Sequence, residues 1–141
     1  MKIISHNVKE TENIAKKLAK NLKGNEILAF YGDLGAGKTA FTRGLAEYFG
    51  LKDMVSSPTF SIMNEYENES VKIYHFDMYR INSLEDLEST GFFDFIDTGI
   101  IIIEWSENIN QFLPEKIIEI KIEKSNGNEN NRTIEVKGAT F

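Results

Sequence analysis

Eight consecutive residues, Gly32-Asp33-Leu34-Gly35-Ala36-Gly37-Lys38-Thr39, have the types and spacing that hold a chain of phosphates. The pattern is G-x-x-x-x-G-K-[ST], the Walker A motif or P-loop. Glycines let the backbone curl until successive N–H groups converge on phosphate oxygens. A helix opening at Lys38 adds its free amides and the positive end of its dipole. Lys38 places a compact charge on the β- and γ-phosphates. The Thr39 hydroxyl is a ligand for a Mg²⁺ ion that keeps several of its waters. Ala40 follows in the first helical turn. The competing reading is a glycine-rich turn that holds nothing, and the flanks, an apolar strand before and an amphipathic helix after, speak against it.

Such a site needs an acid, ordinarily at the end of a buried strand. Two positions fit. Asp77 closes the run Val71-Lys72-Ile73-Tyr74-His75-Phe76, and Glu104 closes Ile100-Ile101-Ile102-Ile103. Carboxyl ends of strands are where open α/β sheets bind ligands. Either acid could hold Mg²⁺, directly or through water, or orient the attacking water. Ser57-Pro58-Thr59 offers hydroxyls in a loop stiffened by proline, as switch loops do, although spacing alone favours an ordinary turn. His75 reads as a packed strand residue. Trp105 reads either as packing or as a neighbour of the nucleotide. Asn7, Asn108 and Asn110 read as caps and turns.

These residues require a scaffold. Ile14, Leu18 and Leu22 repeat every four residues and predict a helix over 8–22, with Asn7 and Glu10 as a capping box and Gly24 as its stop. Residues 27–31 form a continuous apolar run before glycines, which predicts a strand buried on both faces of a parallel sheet. A helix over 38–49 follows, with Phe41, Leu45 and Phe49 on one face. Strands are expected over 60–67 and 71–78, joined as a hairpin through Asn68-Glu69-Ser70, with a short helix over 83–89. Further strands are expected at 100–103, 116–124 and 132–137, the last two joined by a turn at Asn126-Gly127. The fold class expected is α/β: a three-layer P-loop NTPase fold with a mixed, mostly parallel sheet flanked by helices and a β-hairpin after the P-loop helix. The 141 residues amount to one domain.

Composition narrows the function. With 16 basic and 22 acidic residues the formal charge is −6, which disfavours a broad nucleic-acid-binding face. The absence of cysteine excludes disulfides, thiolate-ligated metals and a thiol nucleophile. Apolar runs such as Ile100–Ile103 fall far short of the roughly 18 residues a membrane span needs, and polar residues from Ser5 onward argue against a signal peptide. A soluble, cytoplasmic protein with no membrane association is expected. N-K-x-D and D-x-x-G, the guanine and switch motifs of GTPases, occur nowhere in the chain. A small-molecule kinase needs an acceptor pocket and usually an arginine-bearing lid. The only arginines here are Arg43, Arg80 and Arg132, so a hydrolytic or switch ATPase fits better.

Taken together, Gly32–Thr39, Ser57-Pro58-Thr59-Phe60 with Glu65-Tyr66, His75-Phe76-Asp77-Met78-Tyr79-Arg80 and Ile103-Glu104-Trp105-Ser106-Glu107 resemble the TsaE family, the ATPase subunit of bacterial tRNA threonylcarbamoyladenosine synthesis. The resemblance spans essentially the whole chain. It implies a subunit that binds ATP and Mg²⁺, hydrolyses ATP slowly and acts with TsaB and TsaD. The product would be the modified adenosine beside the anticodon of tRNAs that read ANN codons, with tRNA engaged indirectly. Position by position it implies that Gly32 to Ala40, including Asp33, Leu34, Gly35, Ala36, Gly37, Lys38 and Thr39, bind the nucleotide together with Trp105 and Arg132. Thr39 and Glu104 would hold the metal, and Asp77 and Thr59 would act in catalysis. The entry to the first helix at 6–8 would pack adenine. Ala40 departs from the family pattern, where a second Thr is usual. Two other functions stay open: a nucleotide-gated assembly module with incidental hydrolysis, and a small P-loop kinase.

Overall fold

In the computed structural model, residues 1–32, 37–51, 53, 55, 62–125 and 127–140 are described. The two most apolar runs become neighbouring strands near the middle of one sheet. The strands are β1 (Lys2–Ser5), β2 (Ile27–Gly32), β3 (Met63–Glu67), β4 (Lys72–Asp77), β5 (Ile100–Glu104), β6 (Ile118–Lys124) and β7 (Arg132–Lys137). Their order across the sheet is β1-β7-β6-β2-β5-β4-β3. The four from β6 to β4 run parallel, while β1, β7 and β3 pair antiparallel at the two flanks. The β-hairpin expected after the P-loop helix is β3–β4, and Asn68 holds its turn: Oδ1 accepts from the N–H groups of Ser70 (2.9 Å) and Val71 (3.0 Å).

Alternation along the strands splits the core between two faces. Ile100 and Ile102 join Leu28, Phe30, Ile120 and Ile122 beneath helices α1 (Val8–Ala19) and α2 (Lys38–Tyr48), which contribute Leu18, Phe41 and Leu45. Ile101 and Ile103 face the other way. They pack with Phe76, Leu87 of α3 (Leu84–Ser89), Phe92 of α4 (Phe92–Phe95) and Ile109. Each such side chain, fully buried, contributes about 1.5–3 kcal/mol. Helices on both faces of a mixed sheet make the three-layer α/β architecture.

Element ends differ from expectation in instructive ways. Helix α1 stops at Ala19, short of residue 22, because Asn21 and Leu22 donate to Leu18 and Ala19 in tightened i→i−3 turns before Gly24 (φ +113°). At its start Asn7 caps the Glu10 N–H, but the Glu10 carboxylate turns back to the N–H of His6, one residue before the cap. Strand β3 begins at Met63; residues 60 and 61 of the expected strand, and Asn126 of the expected turn, lie outside the described residues. Strand β1 and helix α4 are additions.

Candidate functional site

Parallel register places the carboxyl ends of β2, β4, β5 and β6 along one edge of the sheet. Asp77 lies directly opposite Glu104, and Gly32 lies opposite Ile122. The antiparallel flank brings three more candidates to that edge. Arg132 opens β7 opposite both Lys124 and Ser5, and Ser5 leads into residues 6–8. The sheet thus collects Gly32, Asp77, Glu104, Arg132 and the entry to α1 at one end.

Backbone geometry explains the glycines that can be described. Gly32 has φ +115°, and a Cβ there would sit 2.0 Å from the Ile122 carbonyl oxygen, so no side chain fits without moving β6. Gly37, at φ +111°, opens α2. Asn7 caps α1 and Ser83 caps α3, yet no side chain among the described residues caps α2. A helix start with no side-chain cap among the described residues suits an anion. Lys38 and Thr39 occupy the first turn, with Ala40 buried behind them. The Lys38 ammonium stands 5.8 Å from the centroid of the Trp105 ring, within cation–π range. That contact joins the start of α2 to the residue following Glu104. Asp33, Leu34, Gly35, Ala36, Ser57, Pro58 and Thr59 lie outside the described residues.

Glu104 is held from behind. Its Oε2 is 2.7 Å from Nε2 of His75, and Nδ1 of His75 is 3.0 Å from the Tyr66 hydroxyl. His75 is 0% exposed, so these two contacts supply both of its ring partners. Asp77 is held locally: its Oδ1 accepts from the Tyr79 N–H at 2.9 Å, and its own N–H donates to Ile62 at 2.8 Å. The segments beyond β4 and β5 are then clamped together. The Asn108 side-chain amide donates to the carbonyls of Met78 (2.9 Å) and Tyr79 (3.1 Å), and the Met78 N–H donates to Glu104 (3.0 Å). The Tyr79 ring lies against Trp105 at 4.8 Å between centroids. Trp105 has φ +62°, a left-handed conformation that costs a bulky residue about 1–3 kcal/mol and that the clamp sustains.

Two residues do more than their sequence patterns indicate: His75 is more than packing, and Asn108 is more than a local cap. The signal for His75 is parity. Residues 75 and 77 share a face of β4, and the neighbouring strand presents Glu104 on that face. Asn108 carries no such signal, because its partners are 29 and 30 residues away.

The arrangement suits a phosphate chain and a hard cation. Two carboxylates at adjacent strand ends, with the Thr39 hydroxyl near the helix start, match a Mg²⁺ ion that keeps most of its water. Among the described residues no three His, Asp or Glu side chains converge as a closed metal cage. Of the arginines, Arg43 and Arg80 are exposed, and the Arg132 guanidinium bonds the carbonyls of Glu129 and Asn131. His6, at the entry to α1, is engaged by Glu10 through Nδ1 at 2.8 Å. An open cavity of about 370 Å³ lies against Tyr31, Gly32, Glu107 and Glu119. Tyr31 alternates with Phe30 and so faces away from α2, and this cavity includes neither Lys38 nor the two acids. Burial there, aided by the negative charges of Glu119 and Glu107, pushes the Tyr31 hydroxyl above the usual phenol range.

Comparison with known proteins places this geometry in a family. Residues 5–134 match the family model described as "Threonylcarbamoyl adenosine biosynthesis protein TsaE". The chain is 41% identical over 134 residues to the tRNA threonylcarbamoyladenosine biosynthesis protein TsaE of Rickettsia typhi, covering 94% of this chain and 92% of that one. It is 38% identical to the protein of the same name from Bacillus subtilis, covering 96% and 85%. The crystal structure of Bacillus subtilis YdiB superposes with a TM-score of 0.73 at 33% identity, over 95% of this chain and 82% of that chain. Among the described residues no helix is long and apolar enough to cross a membrane. With its family model matched over nearly its whole length and the same fold in a solved neighbour, the chain belongs to the TsaE family.

Proposed function

We propose that this protein is the ATP-binding, slowly ATP-hydrolysing subunit of tRNA threonylcarbamoyladenosine synthesis, working in the cytoplasm with TsaB and TsaD and touching tRNA only through them. The observation that carries the reading is the meeting of Lys38 with Trp105, which puts the start of α2 and its lysine beside the strand end that bears Glu104. In this reading the amides from Gly32 to Ala40 and Lys38 hold the phosphates. Thr39 and Glu104 hold Mg²⁺, which neutralises phosphate charge. Asp77 acts on the hydrolytic step, with Thr59 as the switch hydroxyl. Trp105, Arg132 and the entry to α1 border the nucleotide.

Slow hydrolysis follows from the arginine inventory. Phosphoryl transfer gains about 10³–10⁵ from a cation placed on the transition-state charge. Arg43 and Arg80 are exposed, and Arg132 is engaged with backbone carbonyls. A partner that donates a cation would supply the transition-state charge that none of the three arginines is placed to give. The test is steady-state phosphate release by the purified chain, then with a TsaB–TsaD complex added. Turnover well below 1 s⁻¹ that rises on addition supports the proposal. Turnover above about 1 s⁻¹ and indifferent to the partners contradicts it.

A further inference from the structure

We propose that Tyr66 and His75 are positioning residues for Glu104, tying its Oε2 in place so that Oε1 is the oxygen presented at the phosphate-binding end of the sheet. The inference rests on the ATP–Mg²⁺ reading above and deepens it.

The hydrogen bonds allow one economical assignment. An ionised carboxylate only accepts, so Nε2 of His75 carries the proton given to Glu104 at 2.7 Å. Nδ1 is then the acceptor for the Tyr66 O–H at 3.0 Å. This tautomer gives each His75 ring nitrogen a complementary partner, Glu104 on one side and Tyr66 on the other. The chain of contacts crosses three strands, from β3 through β4 to β5, and ends on a carboxylate whose side chain is 16% exposed. A histidine serving only to fill the core would not need a charged partner at the site. Here it restricts the Glu104 rotamer before any ligand arrives, as partners behind a metal-binding carboxylate do.

The experiment has two readouts. Long-range ¹H–¹⁵N correlation of the His75 ring in the wild-type protein should show protonated Nε2 and unprotonated Nδ1; the opposite tautomer overturns the assignment. Calorimetric ATP titrations, in Mg²⁺ and in EDTA, should then compare wild type with His75→Met, His75→Gln and Tyr66→Phe. His75→Met keeps bulk without a donor, and His75→Gln restores an N–H near the Nε2 position. The Mg²⁺-dependent gain in ATP affinity should fall about 10- to 100-fold in His75→Met. It should recover in His75→Gln, with binding in EDTA unchanged throughout. An undiminished gain in His75→Met, or a glutamine variant as poor as the methionine variant, overturns the proposal. Should the core substitution unfold the protein, Tyr66→Phe decides: a mixed tautomer and a reduced Mg²⁺ gain support the relay, and wild-type behaviour in both defeats it. Failure of the wild type itself to bind ATP overturns the nucleotide reading, and the tautomer measurement still stands apart from it.

Discussion

The ends of β4 and β5 carry one carboxylate each, at the same level of the sheet, yet the two are held by different means. Glu104 is braced from the interior by a fully buried histidine across a strand boundary. Among the described residues, the Asp77 carboxylate is braced by the amide of Tyr79, two residues ahead of it in the same turn. A carboxylate fixed by the core suits a cation that must sit in one place. A carboxylate fixed by a turn can adjust as a water or a phosphoryl oxygen moves. Under the proposed function the difference would give Glu104 to binding and Asp77 to hydrolysis, a division that can be broken at several points.

The largest effect is expected at Asp77. Asp77→Asn keeps the oxygen that accepts from Tyr79 but removes the negative charge. Partner-stimulated phosphate release should fall about 10²–10⁴-fold, the range for losing a general base, while ATP affinity stays near wild type. A variant that loses affinity and turnover together would merge the two roles.

Lys38→Ala comes next. A charge-assisted phosphate contact is worth about 1.5–3 kcal/mol, so calorimetry should show ATP binding about 10- to 100-fold weaker with the melting temperature retained. Because Lys38 also rests over Trp105, the sole tryptophan, intrinsic fluorescence should change in the same variant without any ligand. Unchanged ATP binding would remove the phosphate site from α2.

Much of this arrangement is legible in the amino-acid sequence. The Gly32–Thr39 motif between an apolar run and an amphipathic helix marks the end of β2 and the start of α2, and the two acids stand out because each closes an apolar run. The interior partners do not stand out. Tyr66 and His75 meet Glu104 only because β4 pairs with β5 in one register and with β3 in another, and register is a property of the sheet rather than of any one strand. Strand β1 escapes the sequence patterns for a related reason. Its four residues are stabilised by pairing with β7, some 130 positions away in sequence, rather than by a local pattern.

Gly32→Ala probes the scaffold shared by both acids. The added methyl meets the Ile122 carbonyl at a position with positive φ. Strain and backbone displacement should cost about 2–4 kcal/mol, read as a melting temperature lowered by roughly 10 °C.

The smallest effect lies at the far end of the sheet. Burial pushes the Glu26 carboxyl up, but N–H donors from Lys23, Gly24 and Asn25 outweigh it and leave the group below its usual range. A lowered folded-state value means stability present above the unfolded value and lost as pH falls through the folded one. Glu26→Gln should cost less than about 1 kcal/mol at neutral pH, given the group's exposure. Its melting temperature should converge with wild type under acid, with nucleotide binding at neutral pH untouched. A binding defect there would mean that the two ends of the sheet are coupled.

The division between the two carboxylates is tested most directly by ATP calorimetry on Glu104→Ala and Asp77→Ala side by side, each in Mg²⁺ and in EDTA. The account predicts that Glu104→Ala loses most of the Mg²⁺-dependent gain in affinity while Asp77→Ala keeps it. Loss of that gain in Asp77→Ala, with Glu104→Ala unaffected, would contradict it.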